Sequence, residues 1–148
     1  MMFDDLRDLY QEVILDHGRK PRHGRRLDVF DAEARGDNPM CGDRVQVFVR
    51  HTDATVAEIG FEARGCAISI ASADLMAEAV IGKSDGEIDI LAGDFAAMAR
   101  SGDAAAPGMK SLRALAGVHE YPSRVKCATL PWVALQAALA GKGEAGRE

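Results

Sequence analysis

Asn38-Pro39-Met40-Cys41-Gly42-Asp43, followed by Arg44-Val45-Gln46-Val47-Phe48-Val49-Arg50, sets the plan of the chain. The first six residues place a thiol and a carboxylate two positions apart in a turn containing proline and glycine. The next seven alternate, with Val45, Val47 and Val49 on one face and Gln46, Phe48 and Arg50 on the other. That is the period of a strand with one buried face. Thr52-Asp53-Ala54 reads as a turn, and Glu58 to Ala63 alternates again, so the two runs predict an antiparallel hairpin. Asp28 to Ala34 offers a third strand.

Helical patterns lie on either side. Leu6, Leu9, Tyr10, Val13 and Ile14 recur at the spacing of one helical face, which predicts a helix from about Asp4 to His17. Gly18 is its expected C-cap, and Pro21 blocks continuation. After Gly65-Cys66, the Ala-, Ile-, Leu- and Met-rich run from Ala67 to Ile81 predicts a buried helix with Cys66 at its N-terminus. Ser84-Asp85-Gly86-Glu87 has the form of a capping box, so another helix starts near Asp85. Leu91 to Pro107 is rich in Ala, Gly and Asp and predicts short helical pieces rather than a long element. Met109, Leu112 and Leu115 predict one more short helix. A last helix carries Val133, Leu135 and Ala137 to about Ala140. Its expected start is near Cys127, with Pro131 in the first turn. The expectation is one α+β domain over residues 1–140, a small antiparallel sheet of about three strands packed against several helices. A flexible tail is expected from 141 to 148.

With 148 residues, of which 47% are hydrophobic and 28% charged, the composition is that of an ordinary globular domain. A net charge of −5 argues against a nucleic-acid partner held by phosphate neutralisation. No stretch approaches the length of a membrane span, so no membrane partner is expected. The N-terminus is acidic and amphipathic, unlike a signal peptide. The expected compartment is the cytoplasm, where thiols stay reduced and an odd cysteine count suits metals or catalysis better than disulfides. Arg19-Lys20-Pro21-Arg22-His23-Gly24-Arg25-Arg26 is basic on this acidic chain. It reads as a solvated loop or as a docking patch for an acidic partner.

The chain has three cysteines, Cys41, Cys66 and Cys127. With Asp43 they make one full ligand set for a tetrahedral metal such as Zn²⁺. Free cysteines are also common as small buried hydrophobes, and spacing alone leaves both readings open. A helix N-terminus at Cys66 favours the thiolate, and Arg124 and Lys126 flank Cys127 as cations that offset the negative ligand set. Gly82-Lys83-Ser84 is not the end of a phosphate-binding loop, because the first glycine of that motif falls on Ala77. His17, His23, His51 and His119 are scattered and read as surface or capping residues. Trp132 reads as a core anchor.

Three motifs together give a more specific reading. They are Asn38-Pro39-Met40-Cys41-Gly42-Asp43, then Gly65-Cys66-Ala67-Ile68-Ser69-Ile70-Ala71-Ser72, then Arg124-Val125-Lys126-Cys127-Ala128-Thr129-Leu130-Pro131-Trp132. In order and spacing the chain resembles the U-type iron–sulfur assembly proteins (the IscU/NifU-like family), and within them the SufU type. The segment Gly86 to Pro107 resembles the insertion that separates SufU from IscU scaffolds. IscU proteins carry a histidine just before the third cysteine, where this chain has Lys126. They also carry a Leu-Pro-Pro-Val-Lys chaperone-binding segment, where this chain reads Glu120-Tyr121-Pro122-Ser123-Arg124-Val125-Lys126. The resemblance therefore implies zinc-dependent sulfur transfer rather than cluster scaffolding. It implies Zn²⁺ on Cys41, Asp43, Cys66 and Cys127, with a [2Fe–2S] cluster on the same ligands as the alternative. The implied partner is a SufS-type, pyridoxal-phosphate-dependent cysteine desulfurase, with the Suf assembly machinery downstream. A partner histidine would replace Cys41 on the zinc, and the freed Cys41 thiolate would take the persulfide sulfur. Arg124 would help to position or release Cys41, giving a catalytic pair of Cys41 and Arg124.

Overall fold

The hairpin is present as β2 (Asp43–Thr52) and β3 (Thr55–Arg64), paired antiparallel with Val47 opposite Phe61 and a bulge between Arg50 and His51. The coordinates are a computed structural model that describes residues 2–39, 42–104, 106 and 108–144. Asp53 takes a positive φ of 58° in the tight connection, a conformation that Asp tolerates better than most residues. The third strand, β1 (Ala32–Asn38), pairs antiparallel with β2 and completes a sheet of order β1-β2-β3. It lies four residues later than Asp28–Ala34. Its inward positions are Ala34, Gly36 and Asn38, too small or polar to print an apolar alternation. Gly36 allows a close approach there, since a Cβ would stand 3.0 Å from Leu130 Cδ1.

Helices pack on the face carrying Val45, Val47, Val49, Ile59 and Phe61. They are α1 (Met2–Arg19), α2 (Ala67–Val80), α3 (Asp85–Ser101), a 3-10 helix over Lys110–Glu120 and α4 (Pro122–Leu139). In α1, Val13 and Ile14 pack on the core, while the side chains of Leu6, Leu9 and Tyr10 fall outside the described set. α1 runs through Gly18, so Gly18 is not a C-cap. It is a contact glycine, whose added Cβ would meet Ala67 O at 3.1 Å.

α3 overturns the expectation of short pieces. Ile88, Leu91, Ala92, Phe95, Met98 and Ala99 form one buried stripe at helical spacing. The Ser84–Glu87 capping box starts the helix, and Gly102 ends it at φ +80°. In the 3-10 helix, Leu112, Leu115 and Val118 are buried at intervals of three, the period of that helix. α4 begins five residues before Cys127, with Pro122 in the first turn, and Pro131 lies inside it. Proline cannot donate to the carbonyl four residues back, which belongs to Cys127. Trp132 is buried and stacks on Phe95 with centroids 4.9 Å apart.

The other face of the sheet is covered too. Phe48 is fully buried there, with Phe30 at 5.1 Å between ring centroids and the Arg26 guanidinium 5.1 Å from its own ring centroid. The basic segment thus crosses the back of the sheet. Phe61 N donates to His23 O at 3.1 Å, and a Cβ on Gly60 would collide with Arg25 O at 2.2 Å. Both sheet edges are met by chain. Arg35 N donates to Gly143 O on the β1 side, while Val56 N donates to Lys83 O and Gly82 N to Val56 O on the β3 side. Among the described residues no helix is long and apolar enough to cross a membrane.

Candidate metal centre

The β1–β2 turn brings Asn38 opposite Asp43. Gly42 N donates to Asn38 O at 2.8 Å, and Gly42 holds φ at 77°, the left-handed conformation that only glycine takes readily. Asp43, the first residue of β2, is 2% exposed. β3 then returns the chain to the same end of the sheet, where Gly65 and Cys66 lead into α2.

Cys66 is the N-cap of α2, as the sequence implies, and its Sγ accepts from Ser69 N at 3.5 Å. Its backbone N donates to Asp43 Oδ1 at 2.9 Å, and its thiol faces Asp43 Oδ2 at 3.5 Å. Gly65 makes this approach possible. It stands at φ +135°, and a Cβ there would lie 1.9 Å from Asp43 Oδ1. The motif Gly65-Cys66 does not by itself disclose this role. The signal available was a glycine just before a helix-capping cysteine.

Cys127 is buried in α4. It is not at a helix start, so the macrodipole reasoning that applies to Cys66 does not extend to it. Asp43, Cys66 and Cys127 nevertheless converge, each offering a ligand atom within 4.8 Å of the others. Cys41 and Met40 lie outside the described residues. Ser72 Oγ donates to Ala128 O at 2.5 Å and ties α2 to α4 beside the cluster. Burial pushes the Cys127 thiol well above the usual cysteine range, and the Asp43 carboxylate and Cys66 sulfur push it the same way.

The donor set fits a divalent metal. Bonds of about 2.3 Å to sulfur and 2.0 Å to oxygen around a tetrahedral ion separate the two ligand atoms by roughly 3.5 Å. The Cys66 Sγ–Asp43 Oδ2 distance is 3.5 Å. A bound cation would also reverse the electrostatics at Cys127 by making the thiolate the favoured form.

Arg124 and Lys126 are exposed. The Arg124 guanidinium lies 4.4 Å from the centroid of the Tyr121 ring. A second grouping, His17, Asp74 and Glu78, has metal-like proximity but another explanation. Asp74 is fully buried, takes a short hydrogen bond from the His17 ring, and accepts from Arg22 N and His23 N at 2.8 Å each. Its carboxylate is spent on clasping α1 and the basic segment to α2.

Residues 9–128 match the model of the NifU-like N terminal domain. The chain is 39% identical over 142 residues to the iron–sulfur cluster assembly scaffold protein IscU of Streptococcus pyogenes serotype M1, covering 94% of this chain and 87% of that protein. It is 36% identical over 146 residues to the zinc-dependent sulfurtransferase SufU of Bacillus subtilis, covering 96% of each. Among solved structures, a putative iron–sulfur cluster assembly scaffold protein for the SUF system from Fervidobacterium islandicum AW-1 superposes with a TM-score of 0.81. It shares 30% identity and covers 86% of this chain and 94% of that one.

Proposed function

Because this chain belongs to the family of NifU-like N-terminal domains, of the IscU/SufU type, we propose that it serves iron–sulfur cluster assembly as a zinc-dependent sulfur acceptor. The observation that carries the reading is the convergence of buried Asp43, capping Cys66 and buried Cys127, with Cys41 two positions before Asp43 in the sequence. Asp43, Cys66 and Cys127 would hold zinc as the fixed part of the site, with Cys41 as the fourth ligand. Bound zinc would keep the thiols deprotonated at neutral pH.

The partner is a cysteine desulfurase carrying a persulfide. The Cys41 thiolate attacks the terminal sulfur, the partner's S–S bond breaks, and the partner cysteine leaves as a thiolate. Cys41 keeps the sulfur as its own persulfide for the downstream assembly machinery. Arg124, one helical turn before Cys127, assists from the rim of the site. Lys126 supports transfer over scaffolding, since the residue before the third cysteine is an exposed ammonium rather than an imidazole.

A [2Fe–2S] scaffold on the same ligands is the second reading, favoured by the 39% identity to a protein named as a scaffold. Metal content of protein purified without added metal, paired with desulfurase turnover, separates the two. About one zinc per chain, with turnover stimulated by wild type and not by Cys41→Ala, is the result expected. Normal stimulation by Cys41→Ala sinks the transfer reading. Iron with acid-labile sulfide and no stimulation replaces it with the scaffold.

A further inference from the structure

A cavity of about 350 Å³ opens where the last turn of α3, the end of the 3-10 helix and the first turns of α4 meet. Its lining is Arg100, His119, Pro122, Val125, Lys126 and Thr129. We propose that this cavity is a binding site for a small oxyanion, a carboxylate or a phosphate. The inference stands apart from the sulfur-transfer reading and does not rest on it.

Three observations carry it. First, the described residues of the lining include two basic side chains and no carboxylate, on a chain whose net charge is −5. Second, neither Arg100 nor Lys126 has an ion pair among the described residues, so neither charge is committed to an acid of this chain, as those of Arg22, Arg35, Arg44 and Arg50 are. Third, two of the other polar atoms in the wall already have local partners. Thr129 Oγ1 donates to Val125 O at 3.0 Å, and His119 Nδ1 donates to Ala116 O at 2.9 Å. The planar guanidinium of Arg100 and the ammonium of Lys126 are therefore the groups left to bind, a fork and a point charge suited to an oxyanion. The N-terminal end of α4 adds its positive partial charge on the same side. Pro122 and Val125 supply an apolar wall for a short carbon stem. Lys126 directly precedes Cys127 in α4, so an occupied cavity would brace the helix that carries a member of the metal cluster.

The test is a titration of the full-length protein, as purified, with inorganic phosphate and separately with succinate. Amide and arginine side-chain NMR signals provide the readout. Saturable shifts confined to the lining residues are expected with at least one probe. Arg100→Gln and Lys126→Gln should each weaken binding about tenfold or more, as loss of a charge-assisted hydrogen bond does. Arg113→Gln, an exposed arginine outside the lining, should leave it unchanged. All three side chains are exposed, so the variants fold. Saturation by phosphate alone assigns a phosphate site, and saturation by succinate alone a carboxylate site. No saturable shift with either probe, or equal weakening in Arg113→Gln, overturns the proposal.

Discussion

The backbone N–H of Cys66 donates to Asp43 Oδ1 at 2.9 Å, binding the first residue of β2 to the N-cap of α2 across the breadth of the hairpin. One carboxylate oxygen is thereby fixed, and the other faces the Cys66 sulfur at 3.5 Å. The pairing depends on Gly65, so Gly65→Ala should disrupt it. A β-carbon would overlap Oδ1, and alanine resists a φ of +135°. We expect zinc affinity to fall by roughly 10–100-fold, the usual effect of disturbing the support of a ligand. Competition with a chromophoric chelator measures it. Unchanged affinity would mean that Asp43 is not held in place by this contact.

On the proposed reading metal should also stabilise the fold, because Asp43, Cys66 and Cys127 come from β2, α2 and α4. Stripping zinc with a chelator should lower Tm, and re-addition should restore it. Asp43→Ala should shrink the difference between the two melts, since a buried ligand is lost. A chelator-insensitive Tm would remove the metal from the stability of this domain.

Asp74→Ala should be among the most damaging single changes away from the metal centre. It strands two backbone N–H groups and the His17 ring that now share one buried carboxylate. A loss of about 3 kcal/mol or more is expected in urea unfolding. Glu78→Ala, at the exposed member of the same grouping, should cost little. Similar losses for both variants would argue against the clasp.

His51 joins three elements. Its Nδ1 meets Asp31 Oδ1 at 2.6 Å, and its Nε2 meets Asp85 Oδ1 at 3.0 Å. The Asp31 bond raises the histidine above its ordinary range, with Asp85 adding to it, and His51 in turn lowers Asp31. A raised histidine contributes stability that is complete below the unfolded value of about 6.5 and is lost as pH rises through the folded value. The Asp31 share is present above about 3.9 and is lost as pH falls through its lowered folded value. The Tm advantage of wild type over His51→Gln should therefore be greatest near pH 5.5 and shrink by about pH 9. An advantage that grows with pH would contradict the assignment.

How far the sequence disclosed this molecule depended on side-chain size. Val45, Val47 and Val49 are large, so β2 announced itself, whereas β1 turns Ala34, Gly36 and Asn38 inward and stayed faint. In α3 the stripe from Ile88 to Ala99 keeps helical spacing, but Gly93 and a high alanine content masked it. The α4 start was missed because Pro131 suggested a first turn, while Pro122 held that position. That Asp43, Cys66 and Cys127 belong together was legible from residue type and motif. What brings Asp43 and Cys66 together was not, because Gly65 acts through a side chain it lacks, and Asp74 through partners 51 to 57 residues away.

The capped margins of the sheet bear on how this protein can keep company with others. A bare strand edge invites a neighbouring chain to zip on through main-chain hydrogen bonds, the usual first step toward stacking and fibre growth. Here Gly143 occupies one margin at Arg35, and residues 82–83 occupy the other at Val56. At those points a visiting protein cannot add a strand. Recognition at those points has to rest on side chains, and the same two blocked positions hinder edge-to-edge stacking of copies.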